Sequence, residues 1–215
     1  MADQAAAGGD MPDDISMRAI GAPGMGLIDG YGCWCYFEDD YYKGKGAAID
    51  PIDQYCKLLH QGYECIIMDF QNTISACVPW EVSYNSAYSG GYHPLGLTPG
   101  HIEAECDSLN TPGTCQNAAC RVEGYFLQGF FGEAIFNLGI DEAHNHAKGF
   151  DVDANCPTIT HTPGPFTMEC CGEFPKRFPY KNRGDNKCCG NSTYNPNMFV
   201  CCADGSVSLS AMNCP

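Results

Sequence analysis

Positive charge and long apolar runs are scarce in this sequence. Lys and Arg number 11 against 26 Asp and Glu, for a formal net charge of −15. Such a chain repels nucleic acid and anionic membrane alike, so neither is expected as a partner. The sign suits calcium, a basic partner or plain solubility. No apolar run approaches the ~18–20 residues of a spanning helix, so no membrane span is expected. A Gly-x-Ser-x-Gly nucleophile elbow, a His-Glu-x-x-His pair and a phosphate-binding loop are also absent. Cys-x-x-Cys pairs with matching partners, the mark of zinc sites, do not occur either. Residues 1–14 are rich in Ala, Gly and Asp and lack the apolar core of a secretory leader, which predicts a mature or recombinant form.

Cysteine is what the chain has in quantity: 16, alongside 25 glycines and 14 prolines in 215 residues. An even count, with several adjacent Cys-Cys pairs, reads as a disulfide framework rather than as metal ligands. The working compartment is then oxidising, and the protein is expected to be secreted and extracellular. Eight cysteines precede residue 150 and eight follow it. Two self-contained bridge sets are therefore permitted, and a bridge between the halves remains open.

Residues 1–15 read as a flexible arm. From Gly21 to Gly46 the chain is rich in glycine and aromatics without a helical period, which predicts an ordered loop. A helix follows. Asp50 can cap it, Pro51 suits its first position, and Asp53 adds negative charge to its first turn. Ile52, Cys56, Leu59, Tyr63 and Phe70 then recur at three- and four-residue steps and mark a buried face. Residues 77–100 are turn-rich and read as irregular or a short hairpin. A second helix is expected over 114–137, with Cys120, Glu123, Leu127 and Ile135 on one side. Beyond residue 150 the chain turns cysteine-dense, giving a helical domain over 16–150 and a cysteine-rich module over 151–215.

The stretches "YGCWC" (31–35) and "DPIDQYCKLLHQGYEC" (50–65), with a Gly-containing loop between them, resemble the core of secreted phospholipase A2. The resemblance spans roughly residues 15–135. Asp50, Asp53, Cys56 and Tyr63 match the family pattern, and Cys115, Cys120 and Glu123 fit the spacing of its second helix. Leu59 stands where the catalytic histidine belongs, and His60 where the calcium-binding aspartate belongs. Tyr55 and Gly62 replace cysteines on the first helix, and Val122 and Gly129 replace cysteines on the second. In the family those four form two bridges, so both members of each bridge are lost together. The resemblance implies Cys35–Cys56, Cys106–Cys120 and Cys77–Cys115, leaving Cys33 and Cys65 to pair together or Cys33 to reach the C-terminal half. The fold it implies is mainly α and disulfide-rich: two disulfide-linked antiparallel helices of phospholipase A2-like type, plus a small irregular or β cysteine-rich module.

Hydrolysis of that kind needs a histidine to activate water, an acid to orient it, and a calcium ion at the developing oxyanion. Leu59 cannot accept a proton, and His60 cannot stand in for a carboxylate as a ligand of a hard cation. Glu123 remains as the orienting acid without a histidine to orient, and Tyr63 is placed to hydrogen-bond it. No catalytic residue is expected. Glu38, Asp39 and Asp40 are weak calcium candidates in the altered loop, and Asp151, Asp153 and Asn155 a weaker set. His144 and His146 read as polar surface. The paired cysteines at 170/171, 188/189 and 201/202 resemble the di-cysteine repeats of galaxin-like matrix proteins. Each pair can staple two neighbouring segments. Asn191-Ser192-Thr193 is a glycosylation sequon, and Lys176, Arg177 and Lys181 form a basic spot. These features predict a secreted, non-catalytic structural or assembly protein of an extracellular matrix, fibre or surface appendage, one that self-associates. The alternative is an inactive phospholipase-like module that binds lipid or calcium.

Overall fold

A computed structural model describes residues 28–71, 76–86, 98–130, 140–158, 164–209 and 214, with the side chains of 38–40 left out. The expected arm over 1–15 and Ile135 lie outside the described residues. Among the described residues, four α-helices and three two-stranded antiparallel sheets make the fold mixed helix and strand, held by eight disulfides.

Helix α1 (Pro51–Phe70) begins as its sequence dictates. The Asp50 side chain accepts from the Asp53 amide, and proline occupies the first turn. Ile52, Cys56, Leu59, Tyr63 and Ile66 are buried along one side. Helix α2 (Pro99–Leu109) falls partly in the stretch read as irregular. Pro99 and Gly100 look like loop punctuation, yet Thr98 and His101 cap each other there and proline suits the first helical position. Helix α3 (Cys115–Phe130) is the expected second helix as far as residue 130. Helix α4 (Val152–Asn155) is one turn, capped by Asp151.

Helices α1 and α3 pack together and run antiparallel, and steric contacts help set their register. A Cβ on Gly129 would lie 2.0 Å from the Tyr55 ring, and a Cβ on Gly62 would lie 2.7 Å from Val122 Cγ1. Each glycine thus receives a large side chain from the facing helix. The two pairs run in opposite chain order, Tyr55 against Gly129 and Gly62 against Val122. This corrects one expectation: none of the eight bridges joins the two long helices to each other. Instead each helix is bridged to its flanks, α1 by Cys35–Cys56 and Cys65–Cys170, α3 by Cys77–Cys115 and Cys106–Cys120. Between the helices, shape does what a bridge would otherwise do.

Cys33 pairs with Cys156, so two bridges cross residue 150. Residues 140–156 wrap the turn at 31–35. The Tyr31 backbone bridges to Asn145, the His146 ring Nε2 donates to the Gly32 carbonyl at 2.7 Å, and Lys45 pairs with Asp153 at 2.5 Å. This wrap is invisible in the sequence because it has no period; its residues are held by contacts about 90 or more positions away.

Hairpins β1/β2 (Thr167–Cys171, Phe178–Asn182), β3/β4 (Lys187–Cys189, Ser192–Tyr194) and β5/β6 (Phe199–Cys201, Val207–Leu209) follow one another. Strand side chains alternate in direction, so adjacent cysteines face opposite ways. Cys170 reaches back to α1 and Cys171 forward to Cys188; Cys189 then reaches Cys201, and Cys202 reaches Cys214. The result is a chain of staples, each hairpin tied to the next. The first hairpin also docks on α1, where Arg177 of the basic spot forms a two-pronged pair with Asp69 of its own chain.

Candidate functional site

Helix geometry places Leu59 and Tyr63 one above the other, and His60 about 100° around. Leu59 is buried in the main core with Ile28, Ile66, Phe126 and Phe130. It has no atom that can move a proton.

Glu123, from α3, is 0 % exposed. Its Oε1 accepts from Tyr63 Oη at 2.6 Å and its Oε2 from Tyr84 Oη at 2.5 Å. Both lone-pair faces of the acid are therefore used by buried phenols. Burial pushes the carboxyl up to about 8, against the downward pull of the two tyrosines. At neutral pH it keeps its proton and donates through one oxygen, so one of the two phenols then accepts from the acid instead of donating to it. Tyr84 escaped the sequence reading because it stands in a turn-rich stretch without period. A buried acid that needs a second donor was the one clue to it.

His60 is 1 % exposed, and its Nε2 donates to the Tyr36 carbonyl at 2.9 Å. The rings of Trp34 and Tyr41 stand edge-on to it at 6.0 and 5.4 Å. Burial pushes its pKa down to about 4, against the carbonyls of Tyr36 and Tyr41. It is a neutral donor in the core rather than a surface group.

An aromatic plug closes the centre. Tyr41 lies in the short 3-10 helix Glu38–Lys43; it stacks on Trp80 at 5.3 Å and meets the Tyr63 ring edge-on at 5.1 Å. Phe37 packs on Phe126 at 5.9 Å. Such pairs add about 0.5–1.5 kcal/mol each beyond the area they bury. Glu38, Asp39 and Asp40, the calcium candidates, lie outside the described side chains.

The two leading aspartates are structural. Asp53 accepts from the amides of Cys33, Trp34 and Ile49 at 3.0, 2.7 and 3.0 Å, which pins the 31–35 turn onto α1. Gly32, at φ 61°, has to be glycine, since a Cβ there would lie 2.5 Å from Asp53 Cγ. Asp50 accepts from Tyr31 Oη at 2.5 Å and sits 3.0 Å from His144 Nδ1. His144 and His146 thus anchor the 140–156 wrap. Asp151 caps α4 and Asp153 pairs with Lys45, so neither is gathered for a cation. Among the described residues no group of three or more His, Cys, Asp and Glu side chains converges. Comparisons with protein families, with curated proteins and with solved structures return no match.

Two clefts flank the outer side of α1, and neither is lined by Leu59, His60, Tyr63 or Glu123. The centre and the open surfaces are separate places.

Its buried acid and base give stability a pH signature with two signs. Between the ordinary 4.5 and about 8, folded Glu123 keeps a proton that the unfolded chain has released. Stability therefore falls as pH rises through that window, by up to ~1.4 kcal/mol per unit. Between about 4 and the ordinary 6.5, unfolded His60 binds a proton that the folded ring refuses. Stability rises with pH there. Urea midpoints measured from pH 4 to 8.5 are expected to decline above about pH 6.5, and Glu123→Gln is expected to flatten that decline alone. An unchanged alkaline limb in the variant would contradict the assignment.

Proposed function

We propose that this chain is a secreted, non-catalytic structural protein, a subunit of an extracellular matrix, fibre or surface appendage, built on a scaffold resembling secreted phospholipase A2. The observation that carries the reading is the conversion of the hydrolytic positions into core. Leu59 stands at the water-activating position. His60 spends its N–H on a loop carbonyl, in the region where the resemblance would put calcium. Glu123 orients two phenols instead of an imidazole.

The interlocked glycines add support for the scaffold. The resemblance expects cysteines at Tyr55 and Gly62 on the first helix, bridged to cysteines at Val122 and Gly129 on the second. Each of these first-helix positions meets one of the second-helix positions, Tyr55 with Gly129 and Gly62 with Val122. The stapled hairpins fit a load-bearing or protease-resistant part, because each bridge limits how far the chain can open. The alternative of an inactive lipid-binding module loses ground, since aromatics of the chain itself occupy the slot beside Leu59.

Light scattering on the purified, fully bridged protein over a dilution series tests the assembly role. Mass that rises with concentration is expected. A monomer at every concentration, with and without calcium, would overturn it.

A further inference from the structure

We propose that Asn191 carries an N-linked oligosaccharide whose first sugars lie in the cleft between α1, α3 and the first hairpin, as a fixed part of that surface. Asn191 opens the sequon Asn-Ser-Thr, is exposed, and sits in the turn joining β3 to β4. Its side chain is already oriented. Oδ1 accepts from the Glu173 amide at 3.1 Å, while Nδ2, the atom that takes the sugar, has no partner among the described residues. Gly172, at φ 91°, leaves room for this contact, since a Cβ there would lie 3.1 Å from Asn191 Oδ1.

Asn191 stands in the wall of a cleft of about 710 Å³, within the ~300–1,000 Å³ typical of small-molecule sites. Tyr55, Tyr125, Phe178 and Leu58 supply its apolar floor, Gln61 and Lys176 its polar edge. All three aromatics are half-buried, and the Tyr55 and Tyr125 rings lie 5.7 Å apart. This is the chemistry a pyranose asks for: ring faces for its C–H side, and amide and ammonium groups for its hydroxyls. A freely diffusing sugar would lose much of its gain to the entropy of association. A sugar tethered at the rim is already at high effective concentration. The cleft and the sequon therefore explain each other.

Attachment needs a lipid pyrophosphate-linked oligosaccharide as donor. The Asn191 Nδ2–C1 bond forms, the C1–oxygen bond to the pyrophosphate breaks, and the lipid pyrophosphate leaves with that electron pair. The displaced Nδ2 proton passes to a base, and nothing is oxidised or reduced.

The proposal rests on passage through a secretory lumen, so the test begins with protein secreted from eukaryotic cells. Peptide N-glycosidase on denatured protein is expected to remove a glycan's mass, and Asn191→Gln and Thr193→Ala are each expected to abolish that loss. Native protein is expected to release the glycan about tenfold or more slowly than denatured protein, because the sugar must first leave the cleft. The control is Asp204→Asn in the Asn191→Gln background, which completes an Asn-Gly-Ser sequon on the exposed β5/β6 turn. Its glycan is expected to come off the native protein freely. Equal native release from the two sites would overturn the docked glycan. No mass loss from a fully bridged chain would overturn the site and leave the secreted reading standing; free thiols with no mass loss would overturn both.

Discussion

Glu123→Ala is expected to lower the unfolding free energy by on the order of 4 kcal/mol. Two buried phenols would lose their acceptor, at about 1–3 kcal/mol for each group left unpaired. The cavity left between α1 and α3 adds to that cost, because a packed interior closes only partly around a missing side chain. Glu123→Gln is the informative companion. The carboxyl is held near 8, so at pH 7 it is already neutral, and an amide of the same shape keeps an acceptor for one tyrosine and offers a donor to the other. Its cost is expected to stay below about 1.5 kcal/mol. Urea unfolding at pH 7 measures both. A loss in Glu123→Gln as large as in Glu123→Ala would mean that the acid is ionised there, and the reading of a neutral acid held between two phenols would fail.

Gly129→Ala is the second large effect. The added Cβ would lie 2.0 Å from one Tyr55 ring atom and 2.2 Å from two others. To make room, the Tyr55 ring would have to leave the interface, which breaks the interlock between the helices. Overpacking of this kind costs about 1–3 kcal/mol, and the upper end is expected even after alanine's ~0.8–1.0 kcal/mol advantage over glycine in a helix. Gly100→Ala in α2 is the control, since its Cβ would meet nothing nearer than Thr98 Oγ1 at 3.9 Å. That variant is expected to be neutral or slightly stabilising. Tyr55→Ala should relieve Gly129→Ala, with a coupling of at least ~1 kcal/mol in the double-mutant cycle. Additive costs would mean that the two residues do not meet, and the register of the helix pair would have to be redrawn.

What could be read from the sequence was whatever lies close together along the chain. Asp50, Pro51 and the stripe from Ile52 to Phe70 specify α1 locally, and α1 formed at those bounds. Helix α2 was missed because the Pro99 and Gly100 that start it are the same residues that break other helices. The C-terminal hairpins were legible only as a small irregular or β module, because a cysteine pair does not say which of its members reaches back. Pairings such as Gly129 with Tyr55, or Tyr84 with Glu123, join residues whose own neighbours give no hint of them. The 140–156 wrap is of the same kind: His144 and His146 look like loop polarity until Asp50, Tyr31 and Gly32 are brought beside them. Tertiary shape decides those, and one sequence read along its length does not contain them in legible form.

Fatty-acid release from mixed phospholipid micelles in millimolar calcium, by the fully bridged protein, tests the central claim most directly. With Leu59 and a neutral, buried His60 at the centre and Glu123 committed to Tyr63 and Tyr84, release is expected to equal that of a blank. Calcium-dependent release that His60→Ala abolishes would contradict the account, because it would make a working catalyst of a residue placed here in the core.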